Sequence, residues 1–426
     1  MSDSIIYRLD EIAKFSKGIN YSLSDYTDNG SGITFITIKS ILKGGGYDKT
    51  GLKTIRNRFS QQDFLAENDL LIAITDLTRD GDIVGSPIII PKQLNGSVAS
   101  MDLVKITPNK SVACARYLYY FLMLPSTRRY FVNHSSGSTV LHLETRAILK
   151  LNLLVPSLDY QERIANILST VDEVIEKTEA AIEKYEAIKA GMMQDLFTRG
   201  IDVKTGKLRP SLQEAPELYK ETELGWIPKE WEVGRFGDIC NVKVGYSFKS
   251  SEFGSNGYRL IRISNIQEKT VKNLENDVFI VPEVSTQEYE VKFGDLLIAL
   301  SGATTGKVGF VKRESLPALL NQRVGLFEPQ ENTSIDYVYQ IVSDASYQKS
   351  ILENCPSSAQ PNVSPKYLET IPIKYAKDKR EQVLIVRLLK SLDSTIENEY
   401  NQLKKSLKIK QGLMLDLLIG KVIVKI

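Results

Sequence analysis

The chain has 426 residues, 42% of them hydrophobic and 25% charged, and its 54 basic and 52 acidic side chains leave a net charge of +2. At roughly 100–200 residues per domain this makes two or three domains, each able to bury a core. The near-neutral balance excludes a chain that grips a polyanion by bulk charge alone. No apolar run approaches the ~18 residues of a membrane span. The polar start MSDSIIYRLDEIAKF lacks a signal-peptide core. Cys114, Cys240 and Cys355 are too few and too scattered for a disulfide framework, so a reducing cytoplasm is expected. His134 and His142 are the only histidines, which argues against His-based metal centres and against Ser-His or Cys-His catalysis.

In chain order, residues 1–158 carry short β-rich runs at 33–38, 69–74 and 83–90 and a helical stretch at 115–124, separated by Gly, Asn and Ser turns. This predicts a mixed α+β globule. Residues 159–200 differ in kind. Tyr160 to Phe197 contains no proline and no glycine before Gly191, and Ile164, Leu168, Val171, Ile175, Ile182 and Tyr185 recur at heptad-like spacing. That seam predicts a long helix with a coiled-coil face, about 55–60 Å long at ~1.5 Å per residue. A linker, residues 201–222, carries Gly206, Pro210 and Pro216. Residues 223–376 then repeat the globule, with β-rich runs at 260–263, 295–300 and 308–311 and a helix at 336–352. Residues 377–426 repeat the long helix, with a seam through Leu389, Leu392, Ile396, Leu403 and Leu407.

The repetition is collinear. Segments starting at Gly18, Gly32, Asn68, Asp159 and Gly191 match those starting at Gly245, Gly257, Gly294, Asp378 and Gly412, with offsets of 219–227 (378 − 159 = 219; 245 − 18 = 227). The whole chain is therefore a duplication. Residues 159–200 hold 5 basic and 9 acidic side chains, whereas residues 377–426 hold 11 and 6. Two apolar-seamed helices of opposite charge are expected to pair antiparallel, with a globule near each end and the linker running back along the pair. Two independent amphipathic helices, each packed on its own globule, are the alternative.

Catalytic motifs fail when checked. Ser301-Gly-Ala-Thr-Thr-Gly306-Lys307-Val308 has its glycines one residue too close for a phosphate loop and Val where Mg²⁺ needs Ser or Thr. A β-turn into the next strand fits it better. There is no G-x-G-x-x-G and no Pro-Asp nuclease motif. Duplicated globules on a fixed spacer suit a long pseudo-symmetric DNA site. The turns carry residue types that reach phosphates and base edges: Lys17, Asn20, Tyr21, Lys39, Thr75 and Arg79 in the first copy, and Lys243, Tyr246, Lys249, Arg262, Asn265, Thr304, Thr305, Lys307, Gln322 and Arg323 in the second.

At this point the residues resemble a known family. Leu196-Phe-Thr-Arg-Gly-Ile-Asp202, Leu224-Gly-Trp-Ile-Pro-Lys-Glu-Trp-Glu-Val233, Gly294-DLLIALSGATTGKVGFV311, Ser358-Ala-Gln-Pro-Asn-Val363, Pro156-SLDYQERIA165 and Leu417-LIGKVIV424 are together similar to type I restriction–modification specificity (S) subunits. The resemblance spans essentially the whole chain. It implies two target recognition domains, 1–158 and 223–376, each reading half of a bipartite DNA target, with the helices 159–200 and 377–426 setting the gap. It also implies a non-catalytic subunit that recruits two methyltransferase (M) and two restriction (R) subunits for DNA methylation and host defence. S-adenosylmethionine, ATP and Mg²⁺ are then expected on those partners, and none in this chain. By the same resemblance, Gln360 and Asn362 join the DNA-binding candidates.

The first copy departs from this pattern. It has Ser136-Gly-Ser-Thr-Val140 in place of the Gln-Pro-Asn loop, so Ser138 and Thr139 are its candidates there, and its turn after residue 74 is longer and acidic. The competing reading is a non-catalytic protein scaffold without direct DNA readout.

Overall fold

In the computed structural model the described residues are 4–27, 32–56, 58–78, 80–267, 269–353 and 361–420. The architecture is α+β, and the chain divides into two compact units, Met1–Ala181 with Glu399–Ile426, and Ile182–Asn398. Each unit contains one globule together with a segment of each long helix.

In the first unit Ala13–Lys17, Leu103–Pro108, Leu70–Ala73 and Pro87–Ile89 form an antiparallel sheet in that order. Leu70, Leu71, Ile72 and Ala73 are all fully buried, because one side of the strand meets helix Ala115–Leu122 and the other meets a second core around Ile36, Ile88 and Leu103. A strand covered on both faces reads as a continuous apolar run rather than an alternating one. The expected strand 83–90 is shorter, at Pro87–Ile89, since residues 83–86 form a turn.

The second unit repeats this plan. Cys240–Val244, Val324–Pro329, Leu296–Ala299 and Val308–Phe310 follow one another in its larger sheet. The helix expected over 336–352 is two helices, Ile335–Val342 and Ala345–Glu353. Asp344 breaks it by accepting from the Ser346 amide at 2.9 Å, which starts a new helix.

The long helices run over Leu158–Arg199 and Lys379–Leu418. Each is tied to its globule by a buried glutamine at matching positions, 161 and 382. Gln161 donates to the carbonyls of Val112 (2.9 Å) and Pro156 (2.8 Å) and accepts from the Cys114 amide. Gln382 donates to those of Asn332 (3.3 Å) and Ala376 (3.0 Å). Within the first unit Ile164 and Leu168 share a core with Met414, Leu417 and Leu418, while Asp172 meets Lys410. Within the second, Leu196 shares a core with Ile385 and Leu389, while Lys189 meets Asp393. In both units the helix segments therefore pair antiparallel.

Of the seam residues, Ile164, Leu168, Ile182, Leu389 and Ile396 are buried, and Val171, Ile175, Tyr185, Leu392 and Leu403 are half-buried. Leu407 is 49% exposed and lies outside the seam, a correction to the sequence reading. An undistorted helix drifts about 20° per heptad from a 3.5-residue repeat, which carries late positions off the buried stripe.

The linker is a second correction. It does not run back along the helices but folds at the start of the second one. Glu381, 1% exposed, accepts from the Ile201 amide (2.7 Å), from Trp231 Nε1 (2.9 Å) and, through both oxygens, from Arg209 (Nη2 at 3.0 Å). Gly200 closes the first helix at φ +64°, and a Cβ there would stand 2.3 Å from Glu381 Oε1. The end of one helix, the linker, Trp231 of the second globule and the start of the other helix thus meet on one carboxylate.

Candidate nucleic-acid interface

In the second unit four backbone segments converge. The Leu300 amide donates to the Arg323 carbonyl at 3.0 Å, and the Val363 amide to the Leu300 carbonyl at 2.8 Å. The Gly302 amide donates to the Pro361 carbonyl, and the Tyr246 amide to the Leu320 carbonyl. Gly245 makes this last approach possible, since a Cβ there would lie 2.0 Å from the Leu320 oxygen. The result is a groove of about 890 Å³ lined by Val244, Ser301, Gln322, Arg323, Asn362 and Tyr367, among others. Gln322, Arg323 and Asn362 are exposed there. Ser301 Oγ is buried in the same wall with no hydrogen-bond partner among the described residues. Tyr246, 39% exposed, stands edge-on to Phe248 and tilted against Tyr289.

Residues 301–307 form a short turn between the strands Leu296–Ala299 and Val308–Phe310, as the failed phosphate-loop motif implies. Its threonines are spent on holding it. Thr304 Oγ1 donates to the Ile263 carbonyl (3.1 Å), and Thr305 Oγ1 to those of Gly302 and Pro361 (2.7 and 3.2 Å). Lys307 is exposed beside them.

Several predicted contacts are structural instead. Asn265 is fully buried, accepts from the Arg262 amide and donates to the Lys272 carbonyl and to Asp277, so no base reaches it. Arg262 is half-buried, with Nη2 on the Asn276 carbonyl. Lys243 donates to the Glu288 carbonyl at 2.8 Å and lies over the Tyr289 ring. Lys249 is exposed away from these bonds.

The first unit builds the same frame from different residues. The Ile74 amide donates to the Asp102 carbonyl (2.9 Å), the Leu143 amide to the Ile74 carbonyl (2.8 Å) and the Ile19 amide to the Ala99 carbonyl (2.8 Å). The hairpin of Ser135–Ser136 and Leu141–Leu143 pairs His142 with Thr75, as Asn362 bridges Ser301 in the second unit. The segment without the Gln-Pro-Asn sequence therefore still occupies that loop's place.

The turn after Ile74 is longer, and the buried Asp76 carboxylate organises it, accepting from the Thr78, Ile83 and Val84 amides at 2.7, 2.5 and 2.9 Å. Burial pushes this carboxyl up, but those amides and the Thr78 hydroxyl outweigh it and hold it below the usual aspartate value. Arg128 clasps the turn from behind through the Val84 and Asp82 carbonyls, and burial lowers its guanidinium to about 10.

Among the first copy's candidates, Lys17, Asn20, Lys39, Ser138 and Thr139 are exposed. Thr75 is 7% exposed and belongs to the frame, and Tyr21 packs edge-on against Tyr26 and Phe35. Arg79 and Gln360 lie outside the described residues. Sequence reasoning passed over Met101 and Asp102, which stand where Gln322 and Arg323 stand in the second unit. The offset of 221 between Leu103 and Val324 would have found them.

Two copies of one α+β plan, each followed by a long helix and each holding the same backbone frame, which in the second unit walls a polar groove, define a duplicated recognition protein. Residues 1–186 and 228–408 match the family model described as the type I restriction modification DNA specificity domain, and the chain belongs to that family. It is similar to the type I restriction enzyme MjaVIII specificity subunit of Methanocaldococcus jannaschii, 28% identical over 366 residues, which cover 84% of this chain and 80% of the relative. It is also similar to the EcoBI specificity subunit of Escherichia coli, 23% identical over 406 residues, with 92% and 80% covered. Among solved structures, the S subunit from M. genitalium shares the fold, with a TM-score of 0.62 at 16% identity over 98% of this chain and 96% of that one.

Proposed function

We propose that this chain is the DNA sequence-recognition subunit of a type I restriction–modification complex. It is non-catalytic: each globule reads one half of a bipartite target, and the helix pair sets the gap and recruits the M and R subunits. Two of each would assemble on the pseudo-symmetric helices, in the cytoplasm. S-adenosylmethionine, ATP and Mg²⁺ belong on those partners, which do the chemistry.

One observation carries the reading. Gln322, Arg323 and Asn362 come from two separate segments to line one groove, and the same backbone frame recurs in the first unit. Their chemistry suits base edges, since Arg pairs with guanine and Asn or Gln with adenine. Lys307, exposed in the 301–307 turn, suits a phosphate.

The test is binding of the complex to target duplex as salt is varied. Lys307→Ala should weaken binding to all sequences alike and lower the salt slope by about 1. Arg323→Ala should cost about 1–3 kcal/mol of discrimination at one base. Binding with no salt dependence and no sequence preference would instead favour a protein scaffold.

A further inference from the structure

The two units share this backbone frame but not its side-chain chemistry. Four pairs of backbone hydrogen bonds correspond position by position. The amides of Ile74 and Leu300 donate to the carbonyls of Asp102 and Arg323 (2.9 and 3.0 Å), and those of Leu143 and Val363 to Ile74 and Leu300 (both 2.8 Å). The amides of Ile19 and Tyr246 donate to Ala99 and Leu320 (2.8 and 2.9 Å), and those of Leu103 and Val324 to Ser100 and Asn321 (both 2.9 Å). Within this frame Met101 takes the place of Gln322, Asp102 that of Arg323 and His142 that of Asn362. Lys17, paired with Val104, takes the place of Val244, paired with Gly325. Met101 is 37% exposed, His142 is exposed and Asp102 is half-buried.

A carboxylate at the edge of a DNA-reading groove repels phosphate, so its presence calls for a compensating partner. Lys17 supplies a cation in the same frame, where the second unit has a neutral valine beside its cationic Arg323. An aspartate accepts hydrogen bonds and cannot donate them, so among major-groove edges it matches an exocyclic amino group, that of cytosine or adenine. A flexible thioether suits apolar contact, such as a thymine methyl.

We propose that Met101, Asp102 and His142 are the specificity-determining residues of the first unit, and that Asp102 selects a base presenting an amino donor in the major groove. The half-site read by the second unit is instead selected by the donor Arg323. The two halves of the target therefore differ in kind at matching positions: an amino-bearing base in one, guanine in the other. This inference rests on the proposed DNA-reading function.

The experiment uses the complex of this chain with its methyltransferase subunit. Wild type, Asp102→Asn, Met101→Ala and His142→Asn are compared on duplexes carrying the methylated target, with each base substituted in turn. Asp102→Asn should lower discrimination at one position of one half-site by about 5- to 100-fold, leaving the other half unchanged. That position should be cytosine or adenine on the strand Asp102 faces, and single-base substitution tells which. Met101→Ala and His142→Asn should relax neighbouring positions of the same half. Variants that keep the wild-type preference at every position, while wild type reads a split target, overturn this inference and leave the proposed function standing. Wild-type complex that shows no sequence preference overturns both.

Discussion

Lys189, on the first long helix, donates to Asp393 on the second at 2.7 Å. The same pair recurs in the other unit with the helices exchanged: Lys410 of the second helix lies 2.6 Å from Asp172 of the first. Both residues of each pair are related by 221 positions (393 − 172 and 410 − 189). The duplication is thus written into the pairing of the helices as well as into the globules.

Asp393 also receives Lys269 at 2.8 Å, so one half-buried carboxylate faces two ammonium groups. Burial pushes this carboxyl up, but the hydrogen bonds from Lys189 and Lys269 outweigh it and hold it below the ordinary aspartate value. A depressed folded-state value contributes stability above the unfolded value of about 3.9, and that stability is lost as pH falls through the folded one. Asp393→Ala leaves two cations together and should cost about 1–3 kcal/mol at neutral pH, read by thermal denaturation. The difference from wild type should shrink below about pH 4.

Glu381 should be the least replaceable residue of the second unit. Arg209, 6% exposed, has its bidentate partner there, and the Trp231 and Ile201 donors lose their acceptor with it. Glu381→Ala should therefore cost about 3–5 kcal/mol in chemical denaturation. Trp231→Phe removes one donor and part of a fully buried ring, so about 2–4 kcal/mol is expected.

Asp76 gives a local prediction. Asp76→Asn turns an acceptor of three amides into a group that also carries donors, and should expose the Ile83 and Val84 amides to exchange. Hydrogen exchange at those two amides should quicken by about 10- to 100-fold, corresponding to a loss of roughly 1–3 kcal/mol. In wild type the same opening should appear only as pH falls below about 4, since this carboxyl also sits below its ordinary value.

Much of this was legible in the sequence because it rests on periodicity and repetition. A proline-free run with a heptad seam encodes a long helix, and five collinear matches encode a duplicated fold. What stayed hidden depends on contacts between distant segments. Asn265 reads as a base-contacting asparagine by type, yet it is buried and holds Arg262, Lys272 and Asp277 together. Nothing within residues 201–222 reveals that Arg209 meets a glutamate 172 positions on, which fixes the linker at one end of the helices. His142 fills the Asn362 place in a segment of unrelated sequence, because strand pairing with Thr75 and not residue identity sets that position.

Two matching backbone frames with different side chains are expected to read two different half-sites. Single-molecule sequencing of host DNA, with this chain co-expressed with its methyltransferase subunit, tests it most directly. Adenine methylation is expected at one split motif, with two dissimilar halves and an unspecified gap of several bases. A continuous motif, or none despite a stable complex, would contradict it.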